Sequence, residues 1–214
     1  MTARNRYKTY VENGFYHCYN RGVEKRDIFL DQKDYTVFLS YLKFSLSPPI
    51  NPRGPSPRLS PAQQLSNHNQ TIKLIAYCLM PNHFHIMVQQ HTYDTINYFM
   101  RSLATKYVRY FNTKHNRIGP LFQGTYKAAH ITNEYQFTYL TKYIHLNPQK
   151  TVGTVPTDYL YSSLKDYLLL NKNLKDWLYS KTILNKFYPN SPNPQKDYLA
   201  FLTNTKDDSQ LKTI

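Results

Sequence analysis

Met80-Pro81-Asn82-His83-Phe84-His85-Ile86-Met87-Val88 places two histidines on alternate positions of a run that otherwise reads as a buried strand. Successive side chains of an extended chain point to opposite faces, so His83, His85 and Met87 share one face and Phe84, Ile86 and Val88 the other. One face is apolar; the other presents imidazoles. Two neutral imidazoles on a rigid strand can offer ring nitrogens to one divalent ion, which makes this stretch half of a metal site. A His-x-His pair also arises by chance, and a histidine-triad hydrolase would need a third histidine where Met87 stands. Any further ligand must come from elsewhere in the chain.

A length of 214 residues suits one domain of ordinary size with appendages. Lys and Arg number 27 against 13 Asp and Glu, a formal charge of +14, which points to a polyanionic partner and first to nucleic acid. Aromatic residues make up 15% of the chain, and those set among Lys and Arg suit stacking on unpaired bases, although most should simply pack. Cys18 and Cys78 lie in expected strands at no metal-finger spacing and read as small core residues of a reducing compartment. The longest apolar run, Leu74 to Met80, is too short to span a bilayer, so the expectation is a cytoplasmic protein with no membrane partner.

Phe15 to Asn20 reads as a strand ending in the turn Asn20-Arg21-Gly22. Asp34 to Leu46 has the spacing of an amphipathic helix, and Ser47 to Thr71 is a Pro- and Ser-rich segment expected to be a mobile insertion. Ile72 to Leu79 and His83 to Gln89 form a hairpin around Met-Pro-Asn. Thr95 to Phe111 is a helix with one apolar and one basic side, Thr125 to Ile131 a last strand, and a second long helix opens at Asn133-Glu134 and should stop at Asn147-Pro148. This order predicts an α+β, ferredoxin-like (split βαβ) antiparallel sheet with helices on one face and the other face open. Residues 1–150 form the expected main domain, with 47–71 inserted. Residues 151–214 form a helical C-terminal extension, with patches at Ser162 to Leu170, Leu174 to Phe187 and Asp197 to Leu202.

In the second long helix Tyr139, Tyr143 and Asn147 stand one turn apart on one stripe. A phenol and an amide so placed can serve as nucleophile and metal ligand, and the same stripe is also an ordinary packing face. Four ordered motifs occur together: Tyr16-His17 with Asn20-Arg21-Gly22; Met80 to His85; Gly119-Pro120-Leu121-Phe122-Gln123-Gly124 with Tyr126-Lys127-Ala128; and Tyr143-Ile144-His145-Leu146-Asn147-Pro148. Over Phe15 to Pro148 the chain resembles the single-tyrosine HUH transposases, most of all the REP-associated tyrosine transposases and their insertion-sequence relatives.

That resemblance implies a transposase that cleaves and rejoins single-stranded DNA at hairpin-flanked sites through a 5′-phosphotyrosine on Tyr143. His83 and His85 would bind Mg²⁺ or Mn²⁺, with Asn147 as third ligand where many insertion-sequence members carry the longer glutamine. Thr125 stands where many relatives have arginine. Arg21, Arg101, Arg109, Arg117, Lys127 and Lys142 are the candidates for DNA-backbone contacts. A monomer is favoured over a homodimer. The alternatives are a domesticated relative that holds single-stranded nucleic acid without cutting it, and a rolling-circle initiator or relaxase.

Overall fold

The computed structural model describes residues 9–48, 67–168 and 175–204; most of the expected insertion lies outside them. Four strands form one antiparallel sheet, β1 (Phe15–Arg21), β2 (Ile72–Met80), β3 (His83–Gln90) and β4 (Lys127–Ile131), in the order β2-β3-β1-β4. Helix α1 (Gln32–Leu46) connects β1 to β2 and α2 (Thr95–Lys114) connects β3 to β4, which is the split βαβ plan expected from the sequence. The alternation read from the central stretch puts Phe84, Ile86 and Val88 in one apolar cluster with Tyr16, Phe38 and Leu42, and Phe99, Leu103 and Tyr107 of α2 belong to the same cluster. These two helices cover that face of the sheet.

The opposite face departs from the expectation of an open surface. Helix α3 (Glu134–Val152) lays Phe137, Leu140 and Ile144 over Ile75, Met87 and Ile131. The physical reason lies in the strands themselves, whose second face carries enough apolar area to require cover. Asn133 caps α3, its side-chain oxygen accepting from the Gln136 N–H at 2.8 Å. The helix also runs past the expected stop at Asn147-Pro148. Pro148 removes one N–H from the ladder without ending it, and Gly153, at φ of 70°, supplies the left-handed residue where the helix terminates.

Beyond α3 two of the expected helical patches are shorter, α4 (Leu164–Tyr167) and α5 (Ser180–Phe187), and the third is longer, α6 (Pro194–Thr203), with 169–174 outside the described residues. Leu164, Tyr167, Leu184, Tyr198 and Leu202 share one apolar cluster with α3 and the second face of the sheet. His145 is the polar centre of that contact. Its Nδ1 lies 2.7 Å from the Tyr198 hydroxyl and its Nε2 2.8 Å from the Ser163 hydroxyl. Ser163 Oγ in turn accepts from the Tyr77 backbone N–H at 2.9 Å, so one network joins α3, α6 and β2. Burial holds the His145 imidazole neutral by pushing its pKa down to about 3.

Two turns dock against each other at the end of the sheet. The Gly22 N–H donates to the Asn82 carbonyl at 2.9 Å, and the Pro81 carbonyl accepts from Ile28 at 2.7 Å. A methyl group at Gly22 would collide with the backbone carbonyl of Arg26. Gly22→Ala should therefore cost about 1–3 kcal/mol through overpacking, read as a lower urea midpoint at unchanged slope. Ser163→Ala leaves the Tyr77 N–H and the His145 Nε2 without a partner inside the protein. Its expected cost is about 1–3 kcal/mol in the same experiment.

Candidate active site

Strands β1 and β3 pair with Tyr19 opposite His85 and His17 opposite Met87, which brings three imidazoles to one end of the second sheet face. His85 is 6% exposed and His17 3%, and their rings lie edge to edge, 25° from parallel, with centroids 5.0 Å apart. His83 stands at the hairpin rim with its ring at 84° to that of His85. Helix α3 brings Tyr143 over this end of the sheet, its ring edge-on to His85 at 5.2 Å. A cavity of about 570 Å³ is lined by Tyr19, Arg21, His83, His85, Lys127 and Tyr143 among others.

Both nitrogens of His83 face amide oxygens. Nδ1 lies 2.6 Å from Asn82 Oδ1 and Nε2 lies 3.2 Å from Asn147 Oδ1. The Asn82 amide is oriented by donating from Nδ2 to the Lys25 carbonyl, and Asn147 Oδ1 also accepts from the Thr151 hydroxyl. Burial lowers the His83 pKa, with the Asn147 contact opposing and the Arg21 charge reinforcing. A neutral imidazole has one N–H, so with that proton on Nδ1 the His83 Nε2 keeps a lone pair beside Asn147 Oδ1. Their spacing is close to the roughly 3 Å between adjacent ligands of an octahedral ion of Mg²⁺ size. His85 Nε2 is buried and has no hydrogen-bond partner. Two imidazole lone pairs and an amide oxygen therefore fit a divalent cation. Among the described residues no three His, Cys, Asp or Glu side chains form such a group, since the third donor here is an amide.

Tyr143 is half-buried, and burial raises its pKa above the ordinary phenol value while a hydrogen bond to Asn147 draws it down. Tyr139, the neighbouring member of the expected stripe, is 7% exposed and packs edge-on against Phe201, so of the two tyrosines Tyr143 faces the histidines.

The basic residues named from the sequence separate into four groups. Arg21 and Lys127 are exposed and line the cavity; Arg21 donates to Gln123 Oε1 at 3.0 Å, and Lys127 Nζ lies 5.8 Å from the Tyr19 ring centroid. Arg101 and Arg109 lie on α2, across the sheet from Tyr143, in separate hollows of about 830 and 600 Å³. Arg117 is half-buried and bonded to Asn112 Oδ1 at 3.1 Å. Lys142 must be corrected as a surface contact. It is 1% exposed, and its ammonium donates to the Asn204 carbonyl and lies over the Phe201 ring, tying α3 to α6. Helical spacing alone could not distinguish a buried lysine from a solvated one.

Three residues of the site carried no assigned role in the sequence: His17, which contacts His85; Asn82, which orients His83; and Gln123, which holds Arg21. Strand parity could have found the first, because His17, Tyr19 and Arg21 alternate onto one face of β1.

A split βαβ sheet with paired strand histidines beneath a helix-borne tyrosine defines a ferredoxin-like α+β protein with one polar cavity at the sheet end. Residues 58–147 match the model of the family described as IS200-like transposases. The structure of the REP-associated tyrosine transposase bound to a REP hairpin is similar in fold, with a TM-score of 0.55 and 16% identity over 83% of this chain and 91% of that one. A protein of Deinococcus radiodurans R1 assigned as a transposase aligns with a TM-score of 0.39 and 15% identity, covering 65% of this chain and 94% of its own. No curated protein matches the sequence. No helix among the described residues is long and apolar enough to cross a membrane.

The placement of the cations gives a test by nucleic-acid binding. Arg21→Gln and Lys127→Gln should each reduce the log–log salt slope of single-stranded DNA binding by about 1, whereas Lys142→Gln should leave the slope unchanged and lower the urea midpoint.

Proposed function

We propose that this protein is a metal-dependent transposase that cuts and rejoins single-stranded DNA at hairpin-flanked sites through a covalent bond between Tyr143 and a 5′-phosphate. The observation that carries the reading is the meeting of Tyr143 with His85 at 5.2 Å in a cavity that also holds His83, Arg21 and Lys127. Arg21 and Lys127 would neutralise a phosphodiester entering the cavity, and the half-buried Tyr19 offers a ring face beside it for an unpaired base.

The Tyr143 hydroxyl attacks phosphorus, the new P–O bond to tyrosine forms and the P–O3′ bond breaks. The 3′ oxygen departs as a hydroxyl after gaining a proton, and the phenol gives up its own. Burial of Tyr143 resists that ionisation and the hydrogen bond to Asn147 favours it. Phosphotyrosine retains a phosphodiester linkage, so attack by a second 3′-OH rejoins strands and frees the tyrosine without a nucleotide cofactor. His83, His85 and Asn147 would hold Mg²⁺ or Mn²⁺, which when bound supplies Lewis-acid polarisation of the non-bridging phosphate oxygens.

The similar REP-associated transposase is bound to a REP hairpin, and the charge of +14 suits a hairpin DNA partner here. A monomer is the proposed working unit. A DNA partner and two buried cysteines, neither in a disulfide, suit the cytoplasm.

Incubation with a diverse pool of single-stranded hairpin oligonucleotides and Mn²⁺ should give a covalent protein–DNA band on a denaturing gel. The band should be absent with chelator and absent in Tyr143→Phe. Binding without any adduct across the pool would favour the non-cleaving alternative, and an adduct that survives in Tyr143→Phe would overturn the assignment of the nucleophile.

A further inference from the structure

We propose that His17 is a positioning residue for His85: its Nε2 accepts the His85 Nδ1–H and so keeps the Nε2 lone pair of His85 directed at a divalent cation. The inference rests on the metal reading above and adds to it a residue that touches neither cation nor DNA.

His17 Nε2 and His85 Nδ1 are 2.8 Å apart, so a single proton lies between them. Each ring has one other nitrogen, His17 Nδ1 and His85 Nε2, and both are buried without a partner. With both rings neutral, only two proton arrangements are possible. In the first, His85 donates from Nδ1, its Nε2 carries a bare lone pair and His17 is protonated on Nδ1. In the second, His17 donates from Nε2 and His85 Nε2 carries a proton, which excludes a cation from that nitrogen.

Each arrangement leaves one N–H and one lone pair unsatisfied, so counting hydrogen bonds in the cation-free protein favours neither. A cation at His85 Nε2 satisfies the lone pair of the first arrangement and nothing in the second. Binding therefore selects the form in which His17 is the acceptor. The geometry of the pair is fixed by packing, since Tyr19 stacks on His17 at 4.7 Å and on His85 at 5.9 Å. Partners of this kind set the tautomer and ring orientation of metal-ligating histidines, and their loss weakens metal affinity by about 10–100-fold.

The test uses the full chain labelled with ¹⁵N-histidine. Two-bond ¹H–¹⁵N spectra recorded with Mg²⁺ should find His85 protonated on Nδ1 alone. Mn²⁺ affinity, followed by electron paramagnetic resonance, should fall about 10–100-fold in His17→Phe and return to within a few-fold of wild type in His17→Gln, whose amide oxygen can accept the same proton. The spectrum of the unaltered protein decides the tautomer even if His17→Phe does not fold. Mg²⁺-bound His85 protonated on Nε2, or undiminished Mn²⁺ affinity in folded His17→Phe, would overturn the role of His17 and leave the metal reading standing. A wild-type protein that binds no Mn²⁺ would overturn both.

Discussion

Helix α3 has to cover the apolar part of the second sheet face, and the site exists because it does so without covering all of it. Phe137, Leu140 and Ile144 lie over Met87 and Ile131, while one turn away the same helix carries Tyr143 and Asn147 past the end of the sheet where His83 and His85 emerge. Burial of apolar area sets the height and direction of α3, and the helical repeat converts that placement into the position of the tyrosine. The His145 network and the Lys142 contact to Asn204 then fix the helix against α4, α6 and β2. The C-terminal helices thus belong to the support of the site, although they contribute no side chain to the cavity lining.

The chemistry of the cavity follows from its mixture of burial and charge. Desolvation keeps His83 and His85 neutral, which is the protonation state a metal ligand requires. The exposed cations Arg21 and Lys127 line the same cavity, where they would meet the proposed phosphodiester without the full cost of burying a charge. Neutral donors inside and cations outside would suit the proposed site, which has to admit a polyanion and bind a divalent ion.

Much of this was legible in the sequence, and the gaps have physical causes. Period-2 alternation at His83 to Val88 fixed which residues share each face, and period-3.6 spacing placed Tyr143 and Asn147 on one stripe. The cover provided by α3 was missed because alternation identifies two faces without saying which helix reaches each. The continuation of α3 through Pro148 was missed because proline weakens a helix locally while tertiary burial can carry it onward; Pro148 is buried and Gly153 marks the end. Lys142 lies in the stretch 139–148 of α3 in which every residue is buried or half-buried, so its type argued for solvent while its position put it against α6.

The central claim is that β3 and α3 together present one cation site, with His83, His85 and Asn147 as its protein donors. Crystals soaked in Mn²⁺ and measured at the manganese absorption edge test this directly. An anomalous peak is expected in contact with His83 Nε2, His85 Nε2 and Asn147 Oδ1, beside the Tyr143 hydroxyl. A peak that forms without Asn147, or at a place remote from both histidines, would contradict it.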